Sequence, residues 1–374
     1  MTINVLHLIG GGEIGGAEQN VFNLVRNLDR EKVNPHLGCL IKGSPFAALA
    51  RSQGIATDIF PMRFPFDLLP VPAIAAYCRK HNIRLIHAHG TRANLLGRTT
   101  AGRLKIPCIS TIHSLPEFDY LSTLKGRISL ALDDVTLRSS AGLIAVSDSL
   151  RESMSRRLQR KRLPIPLKTI YNGIEALDFS QAAEMGEQFR KTWGIPPQSV
   201  VIGTIGRLHP VKGQNRLVEA ITVLNKEYKD LHLVIIGEGP LYDSLQEQLD
   251  ASGISYTLTG FLPNAWKALP AMNIFVLPSL NEGMGLVLLE AAQAGIPIIA
   301  SDVGGIPELL SNYAEAILIK PGEHLDIALA CSLLLKNNGL IRKLTDNARK
   351  RAMAFTVERM VESTTAFYVH VTSQ

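Results

Sequence analysis

The chain has 374 residues, 46% of them hydrophobic, 19% charged and 6% aromatic, with 30 Gly and 20 Pro, which excludes disordered, collagen-like and coiled-coil classes. Its length suits two domains or one large barrel, and no apolar run reaches the roughly 18 residues of a membrane-spanning helix. The net charge of +6 is uneven: residues 1–190 carry 24 Lys and Arg against 16 Asp and Glu, and residues 191–374 carry 15 against 17, so the first half is expected to meet something anionic.

The opening apolar stretch, Ile3 to Ile9, lacks the charged flank and small-residue cleavage site of a secretory leader, and a cytoplasmic location is expected. Strands are predicted at 4–9, 33–40, 85–88, 108–112, 142–146 and 168–171, and again at 200–205, 231–236, 256–259, 274–277, 298–300 and 316–319. Several are apolar at successive positions and alternate with segments of helical spacing, as in parallel sheets buried on both faces. The expected class is α/β, with two doubly wound, Rossmann-like domains at 1–175 and 176–354. The stretch between Asn172 and Pro197 reads as a linker with a short helix. A single β/α barrel is the rival, and a mid-chain reset counts against it. Cys39, Cys78, Cys108 and Cys331 are scattered without metal spacing and read as reduced core thiols.

The first strand is followed by Gly10-Gly11-Gly12-Glu13-Ile14-Gly15-Gly16-Ala17-Glu18. A glycine-rich turn opening a helix lets backbone N–H groups approach an anion. The acidic residue of a dinucleotide fingerprint and the lysine of a P-loop are both missing, and a plain tight connection is the alternative reading. Farther on come the apolar loop Phe60 to Phe66 and the basic run Arg151 to Lys168. They suit an anionic lipid surface; for the basic run, a solvated helix face is the bland alternative.

In the second half, Gly206-Arg207 and Lys212-Gly213 lie just past a strand's carboxyl end, where open α/β sheets bind ligands. A guanidinium fork plus an ammonium suits a diphosphate; two solvated loop cations are the alternative. Gly237-Glu238-Gly239-Pro240 closes the next strand. Between Pro278 and Pro297 a strand leads into a loop holding Glu282, and a helix starts near Gly285 with Glu290 about one turn inside it. The amides of Gly283 through Val287 at that helix start can hold phosphate oxygens. Two carboxylates there can accept from hydroxyls of one ligand, a grip on a nucleotide sugar, although capping alone would also place glutamates so.

Taken together, Gly15-Gly16-Ala17-Glu18, Tyr171-Asn172-Gly173, Gly206-Arg207 with Lys212-Gly213, Gly237-Glu238-Gly239-Pro240, and Glu282 and Glu290 followed by Ala294-Gly295-Ile296-Pro297 resemble the retaining GT-B glycosyltransferases of family 4, over nearly the whole chain. The resemblance implies two Rossmann-like domains facing a cleft, with a C-terminal helix at about 355–374 crossing back to the first. Thr356-Val357 replaces the usual tryptophan-containing turn there. It implies transfer of a hexose-type sugar from a UDP- or GDP-sugar to an acceptor hydroxyl with retention of configuration. By similarity, Arg207 and Lys212 hold and neutralise the diphosphate, and Glu282 meets the donor sugar with the amides of Gly283, Met284 and Gly285. Glu290 accepts from the ribose diol, Leu286 and Val287 bind phosphate, and Gly15 and Gly16 close over it. Gly206 and Gly237 line the same donor site, with a base-binding turn at Gly260-Phe261-Leu262. His113 faces the donor sugar, and His87 and His89 are acceptor-side candidates, strand-end histidines bonded to backbone being the alternative. The sequence offers no clear nucleophile; Glu117 and Asp119 are carboxylates to test for that role, although Pro116 to Tyr120 reads first as an acceptor-side loop.

No cofactor or metal is expected beyond the nucleotide-sugar substrate. The expected acceptor is a saccharide or lipid-linked saccharide of envelope or exopolysaccharide synthesis, met by a peripheral enzyme at an anionic membrane. Nucleic acid is not expected, because no aromatic residues interleave the basic run. The alternatives are an epimerase or sugar-phosphate synthase of the same fold, and a non-catalytic nucleotide-sugar-binding module.

Overall fold

A computed structural model describes residues 2–12, 15–114 and 124–373. The chain divides into two compact units, Met1–Glu175 with Thr356–Gln374, and Ala176–Phe355.

In the first unit, seven parallel strands run Ile3–Ile9 (β1), Val33–Cys39 (β2), Thr57–Ile59 (β3), Leu85–His89 (β4), Cys108–Ile112 (β5), Gly142–Ala145 (β6) and Leu167–Thr169 (β7), in the order β3-β2-β1-β4-β5-β6-β7. The edge strand β3 escapes sequence reading because three residues, one of them Asp58, give no apolar run. Chain order reverses between β1 and β4, a topological switch point whose carboxyl edge is the usual ligand crevice of such sheets. On one face Val5, Leu85, Ile109 and Ile144 pack with Val357, Met360, Phe367, Tyr368 and Val371 of the C-terminal helix Val357–Thr372. Thr356 caps that helix, its hydroxyl accepting from the Arg359 amide at 3.4 Å.

The second unit has six parallel strands, Val200–Ile205 (β8), Leu231–Ile236 (β9), Ser255–Leu258 (β10), Ile274–Leu277 (β11), Ile298–Ser301 (β12) and Ile317–Ile319 (β13), ordered β10-β9-β8-β11-β12-β13. Its switch point falls between β8 and β11. The expected linker over 172–197 is corrected from residue 176 onward: that segment is built into this unit through the helix Ala182–Thr192. Arg190 donates to the Ala271 carbonyl at 2.8 Å and to Asn273 Oδ1 at 3.0 Å, and a Cβ on Gly186 would strike the Pro270 carbonyl. All four cysteines are buried and unpaired.

Candidate active site

Because β8 and β11 are hydrogen-bonded neighbours, the loops leaving their carboxyl ends lie side by side. The first turns through the short 3-10 helix Pro210–Lys212, and the second carries Pro278 to Gly285. The Leu280 amide donates to the Val211 carbonyl at 2.7 Å, tying the two together. Lys212 Nζ then sits 2.5 Å from Glu282 Oε2, which also accepts from Ser279 Oγ at 3.2 Å. Their side chains are 22% and 13% exposed, so the pair is screened enough to matter yet open to a ligand. Arg207 stands exposed on the same loop, its carbonyl accepting from Gln214 Nε2 at 2.8 Å.

The helix after Glu282 spans Leu286–Ala294. It is apolar nearly all round, with Leu286, Leu288, Leu289, Ala291, Ala292 and Ala294 buried, the signature of a helix packed inside a unit. Gly285 enters it with φ +78°, and Gly295 ends it at φ +72°. No side chain caps its start and no acidic residue stands in its first turn, so its first amides take no partner from a capping side chain. Gly283, Met284 and Gly285 are buried just ahead of it. Glu290 is the one charge in the helix, and burial pushes its carboxyl up to about 7.

Neighbouring turns complete this edge. The Gly206 amide donates to the Ile236 carbonyl and the Gly237 amide to the Gly260 carbonyl, both at 2.9 Å, bringing the ends of β8, β9 and β10 together. Gly237 has φ +149°, and a Cβ there would strike the Gly206 carbonyl, so only glycine permits the stack. Phe261 follows with 49% of its surface exposed. Lys212, Glu282, the Leu286–Ala294 helix start and the Gly206, Gly237 and Gly260 turns thus share one edge of one sheet. Cations, helix-start amides and half-buried carboxylates together can hold a diphosphate and hydroxyls of a sugar.

Residues 186–351 match the family model Glycosyl transferases group 1, and residues 14–176 match Glycosyltransferase Family 4. The chain is 26% identical over 312 residues to the UDP-Gal:alpha-D-GlcNAc-diphosphoundecaprenol alpha-1,3-galactosyltransferase of Escherichia coli, covering 81% of this chain and 79% of that protein. It is 28% identical to the Phosphatidylinositol N-acetylglucosaminyltransferase GPI3 subunit of Saccharomyces cerevisiae, over 81% of this chain and 69% of that protein. Among solved structures, HepE of Anabaena in complex with UDP and glucose matches with a TM-score of 0.85 at 21% identity, over 98% of this chain and 100% of that one. The chain belongs to the GT-B glycosyltransferases of family 4.

In the first unit of this transferase, Gly15 is the N-cap of the helix Gly16–Asn27, and its amide donates to Glu18 Oε2 at 3.3 Å. A Cβ on the exposed Gly16 would meet open space, so the fold itself does not require glycine there. Glu13 and Ile14 of that turn lie outside the described residues, as do Glu117 and Asp119.

His87 and His89, the acceptor-side candidates, are 1% and 3% exposed, and their ring nitrogens meet side chains rather than backbone. His87 Nδ1 lies 2.6 Å from Tyr368 Oη and His87 Nε2 2.7 Å from Thr111 Oγ1, while His89 Nδ1 lies 3.3 Å from His113 Nε2. His113 itself is half-buried. Sequence reading missed His7 of β1, which is fully buried and in register with His87. The signal was present: a lone imidazole within the apolar run of β1 next to a His-Ala-His strand needs a polar partner. Burial holds His7 down at about 3 and His113 at about 4, and holds His87 and His89 well below the usual imidazole range.

The basic run is only partly a surface feature. Arg157 is buried and bonds Asp133 and Asp134 at 2.8 and 2.5 Å, Lys161 bonds Asp134 at 2.6 Å, and Arg151 bonds Asp148 at 2.8 Å. Arg160, Arg162 and Lys168 remain exposed. In the apolar loop Phe60 is buried, whereas Phe64 is 54% exposed, and Leu68 and Leu69 just beyond are 48% and 63% exposed.

Proposed function

We propose that the protein transfers a hexose-type sugar from a UDP-sugar to an acceptor hydroxyl with retention of configuration, and that the β8–β11 edge is its donor site. The observation that carries this reading is the Lys212–Glu282 pair beside an uncapped helix start. In the proposed mechanism Arg207, Lys212 and the amides at Leu286 and Val287 hold the diphosphate. They stabilise the negative charge that grows on it as the anomeric C–O bond breaks. The acceptor oxygen bonds to the anomeric carbon from the face the phosphate leaves, and its proton passes to a phosphate oxygen. Glu282 orients the sugar, Glu290 accepts from the ribose diol, Phe261 stacks on the base, and His113 contacts the sugar. The cations and amides balance the diphosphate without a divalent metal.

Uridine is favoured over guanosine by the relatives: the Escherichia coli relative is a UDP-Gal galactosyltransferase, and HepE was solved with UDP and glucose. The preferred acceptor is a lipid-linked saccharide met at an anionic membrane, supported by the exposed Phe64, Leu68 and Leu69 and by the exposed Arg160, Arg162 and Lys168. A thermal-shift panel of UDP-, GDP- and ADP-sugars tests the donor, since ligand binding stabilises the native state by mass action. A shift with UDP-sugars supports the reading, and none with any nucleotide sugar overturns it. Sedimentation with anionic vesicles at low and high salt tests the membrane: no binding in either refutes it.

A further inference from the structure

Four histidines of the first unit gather at its switch point. Strand register sets His7 beside His87 and His89 beside Thr111, and the two-residue pleat then puts His7, His87, His89 and His113 on one face. His113 Nε2 stands 3.3 Å from His89 Nδ1, and His89 Nε2 stands 3.3 Å from His7 Nδ1. At the far end, His7 Nε2 is buried without a hydrogen-bond partner. His87 is tied elsewhere, to Tyr368 and Thr111.

Although both nitrogens of His87 are engaged by Tyr368 and Thr111, His7, His87 and His89 are three buried imidazoles with ligand atoms within 4.8 Å of one another, which suggests a transition metal first. Ring geometry argues against it. The centroids of His7 and His89 are 5.5 Å apart with their planes 9° from parallel, and those of His89 and His113 are 5.6 Å apart at 34°. In both pairs the centroid separation exceeds the N···N distance by about two ring radii, so the nitrogens face each other nearly in line. A metal lies about 2.0–2.1 Å from each imidazole nitrogen, and an in-line gap of 3.3 Å does not admit one. An N–H···N hydrogen bond fits that gap.

We propose that His7 and His89 are positioning residues that fix the tautomer of His113. The relay runs one way: His7 Nδ1–H donates to His89 Nε2, His89 Nδ1–H donates to His113 Nε2, and His113 keeps its own hydrogen on Nδ1. Each neutral imidazole carries a single hydrogen, so one end decides the direction. Reversed, the relay would leave an N–H buried at His7 Nε2 with no acceptor, and orphaned buried N–H groups are rare. Arg30 and His36, from the segments flanking His7, both act against added positive charge on it. Tyr368 of the C-terminal helix stays neutral, its phenol held well above its usual range by burial, and it bonds His87 rather than the relay. Resting on the reading of His113 as the histidine that meets the donor sugar, the consequence is specific. With Nε2 closed by His89, His113 offers the sugar an N–H donor at Nδ1 and no basic nitrogen.

Proton–nitrogen correlation spectra of the protein carrying labelled histidine read tautomers directly, with His113 assigned by difference from His113→Gln. The expected result at neutral pH is the Nδ1–H tautomer for His113, His89 and His7. His113 in the Nε2–H form, or averaged between forms, overturns the relay. His89→Phe keeps an aromatic ring and should release His113 to a mixture of tautomers, with kcat falling roughly tenfold to a hundredfold, the cost of misplacing a group beside the reacting centre, and the donor KM little changed. An unchanged His113 tautomer in folded His89→Phe overturns the proposal, and if that variant fails to fold, the wild-type spectrum decides. Stoichiometric zinc bound by the wild type and lost from His7→Phe would overturn it in favour of a metal. The spectra need no turnover, so a failed relay and a failed donor site give different results.

Discussion

The two units share an architecture but keep their polar groups in different places. In the second, buried apolar residues from Ile202 to Leu344 form a broad cluster under the sheet, and the candidate chemistry sits at its carboxyl edge. In the first, charged and polar side chains also lie inside, among the apolar clusters: His7, His87 and His89 line the central strands, and Arg98 is 1% exposed with Nη1 2.6 Å from Asp133 Oδ1. One unit has its polar groups as a ligand grip. The other has them as internal scaffolding, and the pH dependence of the two is opposite.

The contrast is broken most severely at the donor edge. Lys212→Ala is expected to lower kcat by roughly 10²–10³-fold, the usual cost of removing one group aimed at developing charge, and the double variant with Arg207→Ala by more, while urea unfolding stays near wild type. Normal turnover by the double variant refutes the site. In the first unit the same kind of deletion should act on stability instead. Asp133→Ala leaves Arg98 and Arg157 buried without their shared carboxylate, which costs about 3–5 kcal/mol and appears as a lower urea midpoint.

Acidification separates the units next. The unfolded chain takes up protons on His7 and His113 below about 6.5, whereas the folded chain refuses them until about 3 and about 4. Stability is therefore present above pH 6.5 and lost as pH falls through that window, by about 1.4 kcal/mol per pH unit for each such histidine. Glu290 has the reverse sign: raised from 4.5 to about 7, it stabilises the folded state fully below 4.5, and that contribution is lost as pH rises toward 7. Hydrogen exchange at pH 5 should show β1 and β4 opening before β8 and β11; equal protection would contradict it. Donor binding that uses the Glu290 carboxylate should strengthen as pH rises through about 7, by at most about tenfold per pH unit. The smallest effect is chelation: EDTA should leave transfer unchanged, and an activity restored only by a divalent ion would contradict metal-free charge balance.

Most of the fold was legible because parallel strands buried on both faces are written as short apolar runs, and the second unit's strands fall at or within two residues of their predicted bounds. The donor edge was legible for a related reason: glycine turns, Arg207, Lys212 and Glu282 lie in compact motifs next to strand ends. The Lys212–Glu282 contact was not, since a separation of 70 residues becomes adjacency only through the β8–β11 pairing. His7 was missed because its partners come from other strands, and Arg157 was misread because its neighbours along the basic run do not reveal Asp133 and Asp134.

The central claim is that the β8–β11 edge of the second unit binds the donor. Calorimetric titration of the wild type and Lys212→Ala with UDP tests it most directly. Binding by the wild type and a loss of about 1.5–3 kcal/mol in the variant, the worth of a hydrogen bond to a charged group, are expected. Equal affinity in the two proteins, with the variant folded, would contradict it.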